Sequence, residues 1–140
     1  MKAFPDKKYQ VIYADPPWTP KISKILGKKW TGMNKASPQK HYNTMEVAEI
    51  CKLNVPSATQ AQLYLWALSP HVDWGYKVAE AWGFEIWQIL TWCKPGLGTG
   101  RFQCNTEQLL VGRKGSRKDF PFGRTGGTYF DWPRGKHSCK

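Results

Sequence analysis

The tetrapeptide Asp15-Pro16-Pro17-Trp18 follows directly on Tyr9 to Ala14 (YQVIYA), a run of strongly β-forming residues. Proline cannot continue a central strand, so the strand is expected to end at Ala14 with Asp15 just beyond its carboxyl end. In open α/β sheets that end is where ligands bind, and a carboxylate there is both accessible and rigidly mounted. The two prolines fix φ and remove two backbone donors, which leaves carbonyl acceptors without competing N–H groups. Trp18 adds a large aromatic face beside them. A planar aromatic ligand with a hydrogen-donating amine at its edge matches this set. Adenine fits, and cytosine fits less well. The plainer alternative is a Pro-Pro turn that closes a strand, with Trp18 covering core.

The elements that must position this segment read as α/β. After residues 19–40, a long loop rich in Lys, Gly, Ser and Pro, Thr44 is expected to cap a short helix running to about Leu53. Structureless loops beyond about 12–15 residues are uncommon in compact domains, so the loop's length alone suggests function. Gln62 to Leu68 reads as a second strand. Ser69 and Pro70 then suit the N-cap and first position of a helix that Gly83 stops. On that helix Asp73, Lys77 and Glu80 share one face, and Val72, Tyr76 and Ala79 another. Phe84 to Cys93 is a third strand, and Glu107 to Val111 a fourth, closed by Gly112. Residues 113–140 are basic, Gly-rich and poorly periodic, so they read as an irregular tail. Strand–helix alternation of this kind predicts one domain over residues 1–140 with a mostly parallel sheet.

Charge sharpens the choice of partner. Of the 140 residues, 21 are Lys or Arg and 10 Asp or Glu, a formal net charge of +11. Residues 1–40 hold nine Lys and two Asp, and residues 101–140 hold nine Lys or Arg and three acids. The middle, residues 41–100, has three Lys against five acids. Two basic arms thus flank a nearly neutral, Trp-rich centre. A charge run is often only a solvated face. Polyanion contact, however, relieves self-repulsion and releases counterions, and Trp30, His41, Tyr42 and Trp132 offer surfaces for base stacking. Nucleic acid is the expected partner. At 41% hydrophobic residues the chain is not of the disordered class. No apolar run approaches the ~18 residues that span a bilayer. With no signal-like start, a cytoplasmic protein away from membranes is expected.

Other chemistries have little support. Cys51, Cys93, Cys104 and Cys139 form no CxxC pair, and His41, His71 and His137 share no ligand spacing, so no metal is expected. His71, near a helix start, reads as solvated, and Lys94 equally as a surface lysine or a ligand contact. Gly96, Gly98 and Gly100 form GLGTG, but no helix pattern follows as a dinucleotide fingerprint requires.

Beyond Asp15 to Trp18, further segments occur in a telling order. They are His41-Tyr42-Asn43-Thr44-Met45, Leu65-Trp66, Trp82-Gly83-Phe84, Thr91-Trp92-Cys93-Lys94, and Glu107 with Leu110, Gly112 and Gly115. His137-Ser138-Cys139-Lys140 completes the series. Together they resemble the permuted adenine-N6 methyltransferases of the MT-A70 family, whose DPPW, "flW", "wGF", "vWxK", "hEhlLvGxkG" and "HSxKP" segments follow the same order. The resemblance covers residues 9–140 and implies a Rossmann-like, S-adenosylmethionine-dependent methyltransferase fold in permuted order. It implies methyl transfer from S-adenosylmethionine to the N6 amine of adenine in DNA or RNA. By family position Asp15, Pro16, Pro17 and Trp18 would be catalytic, and Trp18, Tyr42, Glu107 and Lys140 would meet the substrate. Ala14, Asp15, His137 and Lys140 would meet the cofactor.

Related members continue past "HSxKP" into a helix and then "ELFaR" and "GWxxwGnE" segments, which supply much of the cofactor pocket. The resemblance therefore implies a fold incomplete on its C-terminal side. Val11 to Ala14, apolar on both faces as in a central strand, would become an exposed edge. A second copy or a partner chain could cover it. The competing function is a non-catalytic nucleic-acid-binding or interaction subunit derived from such a methyltransferase.

Overall fold

The computed structural model describes residues 4–19, 43–96, 102–116 and 126–133. Strand β1 (Tyr9–Ala14) leads to helix α1 (Val47–Cys51), strand β2 (Ser57–Leu68), a 3-10 turn (Ser69–His71) and helix α2 (Val72–Ala81). Strands β3 (Glu85–Cys93), β4 (Thr106–Lys114) and β5 (Tyr129–Phe130) follow. The strands form one sheet in the order β1-β2-β4-β3-β5.

The sheet is mixed, which corrects the expectation of a mostly parallel one. β1 pairs parallel with β2 and β5 parallel with β3, but β4 runs antiparallel to both its neighbours, β2 and β3, in the two longest ladders. Strands that run in the same direction need a long crossover, usually helical, as α2 provides between β2 and β3, which are parallel but not adjacent. No helix separates β3 from β4 among the described residues, so β4 turns back and inserts between β3 and β2.

The elements otherwise lie near their expected places, but their ends shift: β2 begins at Ser57 rather than Gln62. Ser69 and Pro70 lie in the 3-10 turn, and the N-cap of α2 is His71. Gly112 does not close β4 but pairs with Leu63 and Ile86 inside it, and the strand runs on to Lys114. Three further differences follow. The first helix is capped by Glu46 rather than Thr44, with the Glu46 N–H donating to Glu49 Oε2 at 2.8 Å. Thr44 is displaced from that role because Met45 is still extended, paired with Trp18. The second difference is in α2, whose buried residues are Gly75, Val78 and Ala79, while Tyr76 is exposed. A Cβ at Gly75 would lie 2.9 Å from Leu110 Cδ2 and 3.1 Å from Ala67 Cβ. Glycine there lets the helix approach the sheet, and the bulky Tyr76 turns outward. The third is β5, a strand within the supposed irregular tail.

Alternation on β2 builds the core. Ala61, Leu63, Leu65 and Ala67 are buried on the helix side with Ile50, Val78, Trp82 and Leu110. Trp66, Trp92 and Leu109 are buried on the opposite face, with Tyr64, Leu90 and Phe130 packed against them. Gly83, at φ +80°, ends α2 as expected. Among the described residues β1 lies at the edge of the sheet, with Val11 and Tyr13 57% and 56% exposed. None of the described helices is long and apolar enough to cross a membrane.

Candidate active site

β1 ends at Ala14, in register with Leu65, and the chain leaves the sheet at the prolines. Asp15 is exposed at this carboxyl end, while Pro16 is buried. The proline carbonyls do not stand without donors, as the sequence suggested. Pro16 O accepts the Trp18 N–H at 2.8 Å, and Pro17 O accepts the Met45 N–H at 2.7 Å. The Thr19 N–H donates in turn to Met45 O at 3.1 Å, so residues 17–19 and 45 are laced together. A carbonyl oxygen has two lone pairs, so each retains capacity for a second donor. What the hydrogen bonds add is rigidity: the segment that carries Asp15 is fixed on both sides. A cleft of about 410 Å³ opens beside it, lined by Tyr9, Ile12, Ala14, Asp15, Pro17 and Leu53 among others.

Trp18 turns inward. It is 6% exposed, and its Nε1 donates to Trp66 O at 3.1 Å. Its ring lies 6.3 Å from that of Trp74, centroid to centroid. Trp74 is itself stacked on His71 at 4.0 Å and 9°. His71 is thus one end of an aromatic layer rather than a freely solvated side chain, because positions three apart on a helical turn meet.

Glu107 reaches the same end of the sheet from β4. It pairs with Leu68 of β2 and Trp92 of β3, while Ala14 pairs with Leu65 of β2. Asp15 and Glu107 therefore stand on either side of β2 near its carboxyl end. Lys94, the residue after β3, donates from Nζ to Glu107 Oε1 at 2.8 Å. Both side chains are well shielded, at 16% and 17% exposed. Alternation along β4 puts Glu107 on the face of Leu109, beside the aromatic cluster. A second cleft, of about 370 Å³, lies on that face between Tyr13, Trp66, Trp92, Leu109, Phe130 and Trp132. Each of three indoles finds an acceptor: Trp66 Nε1 on Tyr13 Oη at 2.7 Å, Trp92 Nε1 on Trp132 O at 3.1 Å, and Trp18 as above.

A polar network that the sequence reading missed braces the strand ends. Ser69 Oγ donates to Thr106 O at 2.8 Å, Thr91 Oγ1 donates to Gln108 Oε1 at 2.9 Å, and Gln108 Nε2 donates to Ser69 Oγ at 3.4 Å. The available signal was the placement of Ser69, Thr91, Thr106 and Gln108 at the ends of otherwise apolar strands. Of the expected site residues, Ala14 to Trp18 and Glu107 are brought to one end of the sheet. Tyr42, His137 and Lys140 lie outside the described residues. Among the described residues, no three His, Cys, Asp or Glu side chains are placed to hold a metal ion.

The MT-A70 family model matches residues 9–126. The chain is 33% identical, over 151 aligned positions, to the type II methyltransferase M.MunI of a Mycoplasma species. That alignment covers 97% of this chain and 64% of the relative. It is 30% identical over 119 positions to a Medicago truncatula protein named "Putative N(6)-adenosine-methyltransferase MT-A70-like", covering 78% of this chain and 17% of that protein. The chain thus spans less than two thirds of the length of either relative.

Proposed function

The chain belongs to the MT-A70 family of methyltransferases, and on that premise we propose that it transfers a methyl group from S-adenosylmethionine to the N6 amine of adenine in DNA or RNA. The observation that carries this reading is the exposed Asp15 on a braced Asp-Pro-Pro-Trp turn, with Glu107 across one strand from it.

The adenine amine is a poor nucleophile because its lone pair is delocalised into the ring. Asp15 and the remaining capacity of the Pro16 carbonyl accept its two hydrogens and draw the nitrogen toward tetrahedral geometry. This is positioning and electrostatic work, which favours a rigid mounting. Trp18 holds the turn from below and contributes what edge it exposes to the base. By family position Tyr42 and Lys140 complete the acceptor pocket.

S-adenosylmethionine supplies an electrophilic methyl group when bound. The cleft beside Ala14 sets one carboxylate against a mainly apolar wall, a donor set that fits a cationic, partly apolar molecule. Ala14 and Asp15 would hold it there, joined by His137 and Lys140 by family position. The net charge of +11 supports a nucleic-acid substrate.

Incubation with methyl-labelled S-adenosylmethionine and adenine-containing DNA or RNA tests the reading. Label recovered in N6-methyladenine is the expected result. Nucleic-acid binding that falls steeply with salt, without product, would instead favour the non-catalytic subunit. The reading also includes a neighbour for β1, a second copy or a partner chain, because Val11 and Tyr13 lie more than half exposed at what is the sheet edge among the described residues. Sedimentation should therefore detect association. A chain that stays monomeric at high concentration and captures no second chain would count against it.

A further inference from the structure

We infer that Trp132 is a stacking platform for an unpaired base beside the target adenine, at the aromatic cleft on the face of the sheet opposite the helices. The inference rests on the nucleic-acid substrate proposed above and adds to it a second base subsite, apart from the Asp15 turn.

An aromatic side chain exposed singly needs no explanation. Trp132 is 67% exposed, but its backbone is anchored, because its carbonyl accepts the Trp92 indole N–H at 3.1 Å. The chain arrives from β5, where Phe130 pairs with Trp92. The Phe130 ring lies 4.9 Å from that of Trp132, tilted at 55°. Pro133 follows, and a proline restricts the backbone of the residue before it. The indole is thus braced from below while most of its surface meets solvent. Bracing suits a stacking surface, since little side-chain freedom remains to be lost on binding.

The cleft beside Trp132 suits a flat, uncharged ring. At about 370 Å³ it is large enough for a small ligand, and no charged side chain lines it. Asp131, the acid next to Trp132, is not among its lining residues. Tyr13 Oη, at the β1 end, accepts from Trp66 Nε1 and keeps its own O–H for an acceptor on a base edge. Aromatic walls can also hold a cation. The net charge of +11 repels cations and attracts a polyanion, and residues 101–140, which include Trp132, hold nine Lys or Arg against three acids. A base is therefore the occupant that the charge favours.

Position ties the cleft to the acceptor site. Tyr13 precedes Asp15 by two residues, so the β1 end of the cleft lies about 7 Å of chain from the carboxylate. A strand that offers its adenine to Asp15 and continues along this face brings a neighbouring base to Trp132. That base must be free of its complement, as in a single strand.

Fluorescence anisotropy provides the test, with binding rather than methyl transfer as the readout. The probe is a single-stranded oligonucleotide with one adenine in a pyrimidine run, in deoxy and ribo forms. Its control carries abasic nucleotides on both sides of the adenine and keeps every phosphate. The parent chain should bind the intact strand about tenfold more tightly than the abasic one. Trp132→Ala should lose most of that advantage while binding the abasic strand as the parent does, and Trp132→Tyr, which keeps a ring, should retain most of it. Circular dichroism separates loss of stacking from loss of fold. A second measurement needs no variant: 5-iodouracil placed beside the adenine should photocrosslink the parent chain at Trp132. An alanine variant that keeps the full advantage, or a crosslink elsewhere, overturns the inference and leaves the nucleic-acid reading in place. Equal affinity of the parent for both strands does the same. If Trp132→Ala instead weakens self-association in sedimentation with oligonucleotide binding unchanged, the cleft is a protein interface and the inference is overturned. Binding of neither strand removes the nucleic-acid reading together with the inference.

Discussion

Replacing Asp15 with alanine is expected to reduce methyl transfer to adenine by at least about a hundredfold, the scale on which removal of one preorganised polar partner acts. The expectation follows from where the carboxylate sits. It is exposed at the carboxyl end of β1, on a segment pinned by the Trp18 N–H on Pro16 O and the Met45 N–H on Pro17 O. Those bonds involve backbone atoms only, so they remain available to the alanine variant while the charge is lost. Circular dichroism and the thermal midpoint of the variant separate loss of the charge from loss of fold. Asp15→Asn is the graded case. It retains one acceptor oxygen but no charge, and its rate should fall between parent and alanine. Transfer by Asp15→Ala within about threefold of the parent would remove Asp15 from the chemistry.

That segment could be read from the sequence because its determinants are local. YQVIYA followed by two prolines specifies a strand end whatever surrounds it, and β1 indeed runs Tyr9–Ala14. Strand direction is different in kind. Nothing within Thr106–Lys114 states that it lies between β2 and β3, antiparallel to both. Only the lack of a helical pattern between β3 and β4 hints at it. The Lys94–Glu107 pair inherits the same difficulty, because it exists only once Cys93 has been paired with Thr106. On α2, Val72 and Ala79 meet the core but Tyr76, grouped with them by spacing, does not, and the reason is steric. Hydrophobicity ranks tyrosine above glycine, yet Gly75 is the residue that fits against Ala67 and Leu110. Tyr129–Phe130 was invisible for want of length, since two residues carry no period. They are held by pairing with Thr91 and Trp92 and by the packing of Phe130 on Trp66, both non-local.

Trp18→Ala is expected to cost about 3–5 kcal/mol of folding free energy, measured by urea unfolding. That is a large share of the roughly 5–15 kcal/mol typical of a domain. The sequence allowed two roles for this residue, an open stacking face or a piece of core, and its 6% exposure places most of the indole in the second. Its Nε1 bond to Trp66 O ties the active-site turn to the strand beside it. Deleting the ring therefore opens a cavity and also leaves a buried carbonyl with one donor fewer. Trp18→Phe separates these effects. Phenylalanine fills most of the space but cannot donate, so its cost should be nearer 1–2 kcal/mol. A loss below about 1 kcal/mol for alanine would contradict the core placement. Methyl transfer by the folded phenylalanine variant then reports on the site. If the indole serves chiefly to hold the Asp-Pro-Pro turn, loosening its one hydrogen bond should lower the rate more than it weakens nucleic-acid binding. If the ring mainly grips the base, binding should suffer first. The buried Nε1–Trp66 O bond favours the former, because it fixes Trp18 to the scaffold rather than leaving it to follow the substrate.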